Sequence, residues 1–274
     1  MTYRHVIGLG VAGNFAGHLE QAGEDRDFLA VEVKEAIQPK AIFPFYLPSG
    51  CKSFLSTYPL SINTINAPEH ADNLQIEPEV ALLCDIEYHD GKVSNLVPRQ
   101  FGAYNDCSIR KPGARKISEK KNWGRNTKGL SETLFDIDHF GAGGVLDKFR
   151  IACFHIRDGH CHTYGEDSPV VGYSYFHQKL TDWIVDRMNN QEDVGPAEPI
   201  SIYLKDAKYP EQALISIGAT RYTPYGETHF LQPDDISIVV VYDSTLYTSG
   251  QIAAMAAERE LDEEGISALI QRVV

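Results

Sequence analysis

No stretch of eighteen consecutive apolar residues occurs in this chain, so no membrane-spanning helix is expected. Residues 1–8 lack the apolar core of a signal peptide, and the expectation is a protein that stays in the cytoplasm where it is made. There is no Cys-x-x-Cys pair, and the five cysteines, Cys51, Cys84, Cys107, Cys153 and Cys161, are odd in number and widely spaced. That pattern argues against a disulfide framework and for a reduced protein. Positive charge is short, with 25 Lys and Arg against 38 Asp and Glu and a formal net charge of -13. Such a field repels phosphate backbones, which speaks against nucleic acid as a partner. It also repels small anionic substrates, so an anionic ligand would need local positive charge from a metal or from a few placed Lys and Arg. Internal repeats and low-complexity stretches are absent too.

What is present suits one structural domain: 274 residues with a 43% hydrophobic fraction, enough to build a sizeable core. Residues 3–9 read as a strand, 28–33 as a strand or an extended segment, and 13–24 as a short helix or ordered loop. Prolines at 39, 44, 48, 59 and 68 keep the next stretch extended and looped. Residues 80–88 and 149–156 read as strands, each followed by an Asp-Gly turn signal for a hairpin. Further strands are expected at 213–218 and 236–242, and a helix over 174–190 with Leu180, Trp183, Ile184 and Met188 near one face. Residues 248–271 read as a charged helical tail interrupted at Gly265. The expected organisation is an N-terminal segment (1–70), a β-rich core (71–247) and a helical tail (248–274). The fold class is α+β, rich in β, with no regular βαβ repeat.

Gly8-Leu-Gly10-Val-Ala-Gly13 matches a dinucleotide fingerprint, with Glu32 at the distance of a ribose contact. Against an NAD(P)-binding oxidoreductase stands the proline-broken stretch 34–70, where further strand–helix units belong. The alternative is a glycine-rich turn shaping a pocket wall.

Glu77-Pro78-Glu79 is of a different kind. In an extended segment, residues two apart point to one side, and Pro78 helps keep the pair extended. Two such carboxylates repel each other unless a cation lies between them, and hard oxygen donors suit Mg²⁺ or Mn²⁺. A third carboxylate, Asp106, lies in a small polar cluster at the end of a plausible strand. Other candidates carry less. His160 and His162 would share a strand face and could bind Zn²⁺, but no further ligand is convincingly spaced. Ser108 lacks a nucleophile elbow, and Cys107 reads as a small buried group.

The ordered set of segments resembles the fumarylacetoacetase-like family. Glu77-Pro-Glu79 leads into an apolar strand; Asn105-Asp106-Cys-Ser108-Ile-Arg110 follows; Trp123 precedes Lys128; and Asn14-Phe15-Ala-Gly-His18 lies near the start. Late in the chain come Gly218-Ala-Thr220 and Leu231-Gln-Pro233-Asp-Asp235. The resemblance implies a mixed β-sandwich or β-roll with a few peripheral helices, and a homodimer. It implies that Glu77, Glu79 and Asp106 hold Mg²⁺ or Mn²⁺, that Lys128 lies near the substrate or the metal-bound oxygens, that Arg110 steadies the Asp106 loop or binds the substrate, and that Gly218 and Thr220 face an anionic small molecule.

The activity so implied is hydrolysis or decarboxylation at a C–C bond of a small 2-oxo or 1,3-dioxo acid, such as an acylpyruvate or oxaloacetate. His18 is the candidate general base or acid, because an unperturbed imidazole titrates near neutrality, and its segment would serve as a lid. Departures bear on this. Gln21 stands where the family's His-x-x-Glu has its acid, leaving Glu20 as the candidate catalytic carboxylate with Glu24 beyond. Phe45-Tyr46-Leu47-Pro48 replaces a Lys-Pro, and the loop hydroxyl is displaced to Thr220. A member that binds a metabolite or partner without turnover is therefore the alternative.

Overall fold

The structure, a computed structural model, describes residues 3–31, 33–48, 53–69, 73–110 and 114–274. Glu32 and Cys51 lie outside the described residues. Two sheets carry the fold. The larger runs, in spatial order, Ala41–Tyr46, Ile7–Ala12, Gln212–Ser216, Pro78–His89, Lys92–Asn105, Lys128–Leu130 and Leu60–Ser61, with Phe135–Asp136 also paired to Lys92–Asn105. The smaller runs His160–Pro169, Phe149–Arg157, Ile236–Asp243, Ile266–Val273 and Thr64–Ile65. Most pairings are antiparallel, but Ile7–Ala12 runs parallel to Gln212–Ser216, so the sheet is mixed. This is the expected β-rich α+β architecture.

Alternation explains how the sheets stack. Val239 and Val241 point into a shared interior with Val80, Leu82, Phe101 and Leu269, while Ile238, Val240 and Tyr242 point to the opposite face. There they meet Ile252 and Ala256 of the helix Ser249–Glu258, two residues one turn apart on a single helix face. That helix starts at a reciprocal Thr248–Gln251 capping box, which satisfies two otherwise free backbone donors. Burying each large aliphatic side chain in these clusters contributes roughly 1.5–3 kcal/mol. The helix His177–Asn190 packs Leu180, Trp183, Ile184 and Met188 inward. Both hairpins form where expected. Asp90 and Gly91, and likewise Asp158 and Gly159, adopt positive φ, the conformation of tight two-residue turns.

Three expectations need correction. Among the described residues of 28–33 there is no strand: Asp25–Phe28 is a 3-10 turn, and Phe28 is drawn into a cluster with Leu19, Phe43 and Ile117. The helical tail stops at Glu258, and Ile266–Val273 is a strand inside the smaller sheet. Its polar Ser267 and Gln271 are buried because they bond to the neighbouring sheet. Ser267 Oγ accepts from Ala103 N at 2.9 Å, and Gln271 Oε1 accepts from Asn105 Nδ2 at 3.1 Å. Gly8 and Gly10, finally, sit mid-strand beneath Phe45 and Phe43, whose rings lie 2.3 Å from where a Cβ would be. They make room for aromatic rings, and the helix after them spans only His18–Gln21. A pyrophosphate cradle is not built there. No described helix is long and apolar enough to cross a membrane.

Candidate metal centre

The open end of the long hairpin builds the site. Pro78 pairs with Asn105 and Glu79 with Tyr104, so antiparallel register brings position 77 opposite position 106. Asp106 N donates to Glu77 O at 3.0 Å, and Glu77 N donates to Asn105 Oδ1 at 3.2 Å. Asn105 Nδ2 is held in turn by Ser237 Oγ and Gln271 Oε1 of the other sheet. Carboxylate oxygens of Glu77, Glu79 and Asp106 then all lie within 4.8 Å of one another, and all three residues are buried. Among the described residues this is the one group of three metal-ligand side chains so arranged. His160 and His162 belong to no such group, and His162 stacks on Tyr225 with ring centroids 4.3 Å apart.

The three carboxylates differ electrically. Burial opposes ionisation of Glu77, but Lys121 and Arg110 outweigh it and hold its pKa well below the usual carboxylate range. Among the described residues Glu79 forms no ion pair, and only the more distant charge of Lys121 attracts it. Burial, then the charges of Asp106 and Glu77, push its pKa well above the usual range, and its one donor is Gly218 N at 2.8 Å. Burial also raises Asp106, against the pull of Lys121 and Lys128. Their ammonium nitrogens lie 2.6 Å from Oδ2 and 3.3 Å from Oδ1, yet neither oxygen accepts a well-aligned hydrogen bond. Tyr104 Oη is buried without a partner as well. Hard oxygen donors, a carboxylate without an ion pair among the described residues and under-bonded Asp106 oxygens fit a small divalent cation.

Each remaining candidate has a definite place. Four of the five N–H groups of Arg110 are engaged: Nε donates to Gln75 Oε1 at 2.6 Å, Nη2 to Tyr222 Oη at 2.8 Å, and Nη1 reaches Glu24 and Glu77 at 2.8 and 2.6 Å. It clamps the cage, with a single Nη2–H outside these contacts. Lys128 is fully buried, donating to the Cys107 carbonyl beside Asp106. Gly218, at φ +118, spends its N–H on Glu79, and Thr220 offers its carbonyl to His18. That contact, His18 Nδ1 to Thr220 O at 2.9 Å, fixes the tautomer: a carbonyl only accepts, so Nδ1 carries the proton and Nε2 keeps its lone pair. Burial lowers the His18 pKa to about 4, so the ring is neutral at neutral pH. Glu20 is exposed and lines no part of the cavity; Glu24 does line it. Burial would raise Glu24, but Arg110 and Lys120 bring it down to about 2. Gln21 exchanges two hydrogen bonds with the Tyr222 backbone, at 3.0 and 2.9 Å, and so pins the His18 helix. Cys107 is buried, and burial pushes its thiol up to about 12. Ser108 Oγ donates to Asp106 O at 2.8 Å.

Sequence reasoning missed Lys121. Its Nζ lies 2.6 Å from Glu77 Oε2, 2.6 Å from Asp106 Oδ2 and 2.6 Å from Ser108 Oγ. It comes from the 3-10 turn Ile117–Lys120 and the residue that closes it. The residues 13–28 and this turn wall a cavity of about 20 Å³ against Glu77 and Glu79, room for roughly one water molecule.

Comparison with known proteins bears on the fold. Residues 24–273 match the model of a family of unknown function (DUF5718), and the chain belongs to that family. No curated protein matches it in sequence. Among solved structures it is similar to 2-keto-3-deoxyarabinonate dehydratase, at 13% identity and a TM-score of 0.55 over 98% of this chain and 73% of that one. It is also similar to a protein assigned to the fumarylacetoacetate hydrolase family from Yersinia pestis CO92 (11% identity, TM-score 0.51, 98% and 94% covered). A third is 5-carboxymethyl-2-hydroxymuconate delta-isomerase from Mycobacterium smegmatis (15%, 0.50, 98% and 78%). The fold is that of the fumarylacetoacetate hydrolase type.

Proposed function

We propose that this protein is a divalent-metal-dependent enzyme that cleaves a C–C bond in a small 2-oxo or 1,3-dioxo acid, such as an acylpyruvate or oxaloacetate. The observation that carries the reading is the convergence of Glu77, Glu79 and Asp106 within 4.8 Å in a buried site. These residues would hold Mg²⁺ or Mn²⁺, which when bound supplies Lewis-acid polarisation of an oxo group and offsets negative charge developing on it. The protein's own contribution to proton transfer is His18. Its Nδ1–H is committed to Thr220 O, so Nε2 is the atom that takes or returns a proton. A cavity of about 20 Å³ excludes such an acid as the walls now stand. Substrate admission therefore requires the 13–28 segment or the Ile117–Lys121 turn to move, which is how a lid works.

The test is direct. Purified protein is incubated with oxaloacetate and with acylpyruvates, with Mg²⁺ or Mn²⁺ and with a chelator. Turnover that the chelator abolishes supports the reading, and absence of turnover with every substrate and ion refutes it. Gln21 at the position of the expected acid, together with the filled cage, favours a second reading: a member that binds such an acid without converting it. Binding seen by calorimetry without product would establish that alternative. The resemblance also supports a homodimer, which sedimentation would reveal as twice the mass of the chain.

A further inference from the structure

Lys121 occupies the place a metal would need. Its Nζ donates to Glu77 Oε2 and Ser108 Oγ and forms an ion pair with Asp106 Oδ2, each at 2.6 Å, and its side chain is 5% exposed. Two of those acceptors belong to the carboxylate triad. With every carboxyl counted as ionised, the formal charges around them already balance. Four carboxylates (Glu24, Glu77, Glu79, Asp106) stand among four basic groups (Arg110, Lys120, Lys121, Lys128). Adding a divalent ion would leave two surplus positive charges in a buried site, where uncompensated charge is costly. Mg²⁺ also takes oxygens at about 2.0–2.1 Å, so an ion on Glu77 and Asp106 would press directly against the ammonium.

We propose that Lys121 is an internal counter-ion that holds the cage together and is expelled when a divalent ion binds, so that metal uptake moves the turn that carries it. The proposal rests on the metal reading above. Metal binding is then an exchange of one cation for another, and its affinity is lower than the triad alone would give. The exchange also acts on access. Ile117 and Lys121 both line the cavity, and the neighbouring Lys120 grips Glu24 of the opposite wall at 2.7 Å. Withdrawing Lys121 therefore enlarges the cavity from one of the two walls whose movement would admit a substrate, and the ion that prepares the site also opens it.

Mn²⁺ alone is the probe. Its binding to chelator-treated protein is measured by calorimetry for wild type, Lys121→Met and Glu79→Gln. Lys121→Met is expected to bind Mn²⁺ about tenfold more tightly, or better, the coupling typical of one displaced competitor. Glu79→Gln should bind it more weakly. In parallel, wild-type lysines are acetylated with and without Mn²⁺ and mapped by mass spectrometry; Lys121 labelling should rise several-fold with Mn²⁺ while Lys128 stays protected. Equal or weaker Mn²⁺ affinity in folded Lys121→Met overturns the proposal and leaves the metal site standing. So does a Lys121 that stays protected once wild type has taken up Mn²⁺, a readout that needs no variant to fold. Failure of wild type and Lys121→Met alike to bind Mn²⁺ overturns the metal reading itself, and this proposal with it.

Discussion

His18 offers a test of the site that needs neither metal nor substrate. Its pKa falls from 6.5 to about 4 on folding, chiefly through burial. The unfolded chain therefore takes up this proton as pH drops below about 6.5, while the folded chain resists it until about 4. A depressed folded pKa means the stabilisation is complete above 6.5 and is lost on acidification. Between pH 7.5 and 4.5 the linkage relation gives a loss of about 2.5 kcal/mol from this one residue. Urea unfolding of the chelator-treated protein across that range measures it. The control is His18→Asn, which keeps an N–H donor near the Thr220 carbonyl and does not titrate. Other groups titrate in the same window, so the informative quantity is the difference between the two curves, which should narrow by about 2.5 kcal/mol toward acid. Parallel curves would mean that His18 is solvated in the folded protein, and the neutral-base assignment of Nε2 would fall with that result.

Two further outcomes follow from contacts described above. Glu79 forms no ion pair among the described residues, so Glu79→Gln should leave thermal stability within about 1 kcal/mol of wild type while lowering Mn²⁺ affinity by about tenfold or more; unchanged affinity would remove Glu79 from the ligand set. Gly10→Ala drives a methyl into the Phe43 ring, 2.3 Å away, and should cost about 1–3 kcal/mol, read as a lower melting temperature. The wild-type melting temperature should not respond to NAD(P), and a clear upward shift would revive the nucleotide reading.

Local chemistry decided which parts of this molecule could be read from its sequence. Asp90-Gly91 and Asp158-Gly159 announce their turns because positive φ is cheap for those residues. Glu77 and Glu79 announce a shared side because strand geometry alternates. The misread segments are those in which distant partners overrule local pattern. Ile266–Val273 hides its strand period because Ser267 and Gln271 sit on a buried face and satisfy themselves across the sheets. Lys121 hides best. Residues 116–121 contain the charged Lys116, Glu119, Lys120 and Lys121, yet a 3-10 turn buries Ile117, Lys120 and Lys121. Nothing in a single sequence signals that a lysine 44 residues from Glu77 will supply its counter-charge. The sequence favours Glu20 as the acid, but Glu20 is exposed, and it is Glu24 that Arg110 and Lys120 hold against the cage.

The bracket around Asn105 has a wider consequence. This side chain receives the Glu77 amide on one side and grips Ser237 and Gln271 of the opposing sheet on the other. Spacing among the cage oxygens is thus keyed to the alignment of two β-layers, and Mg²⁺ and Ca²⁺ differ in preferred oxygen distance by only about 0.3–0.5 Å. A hollow made deep in the sandwich, at Leu269 or Val239, would be felt at the carboxylates as a change of calibre. The ion preference of the proposed centre would in that sense be a property of the interior as well as of its three carboxylates.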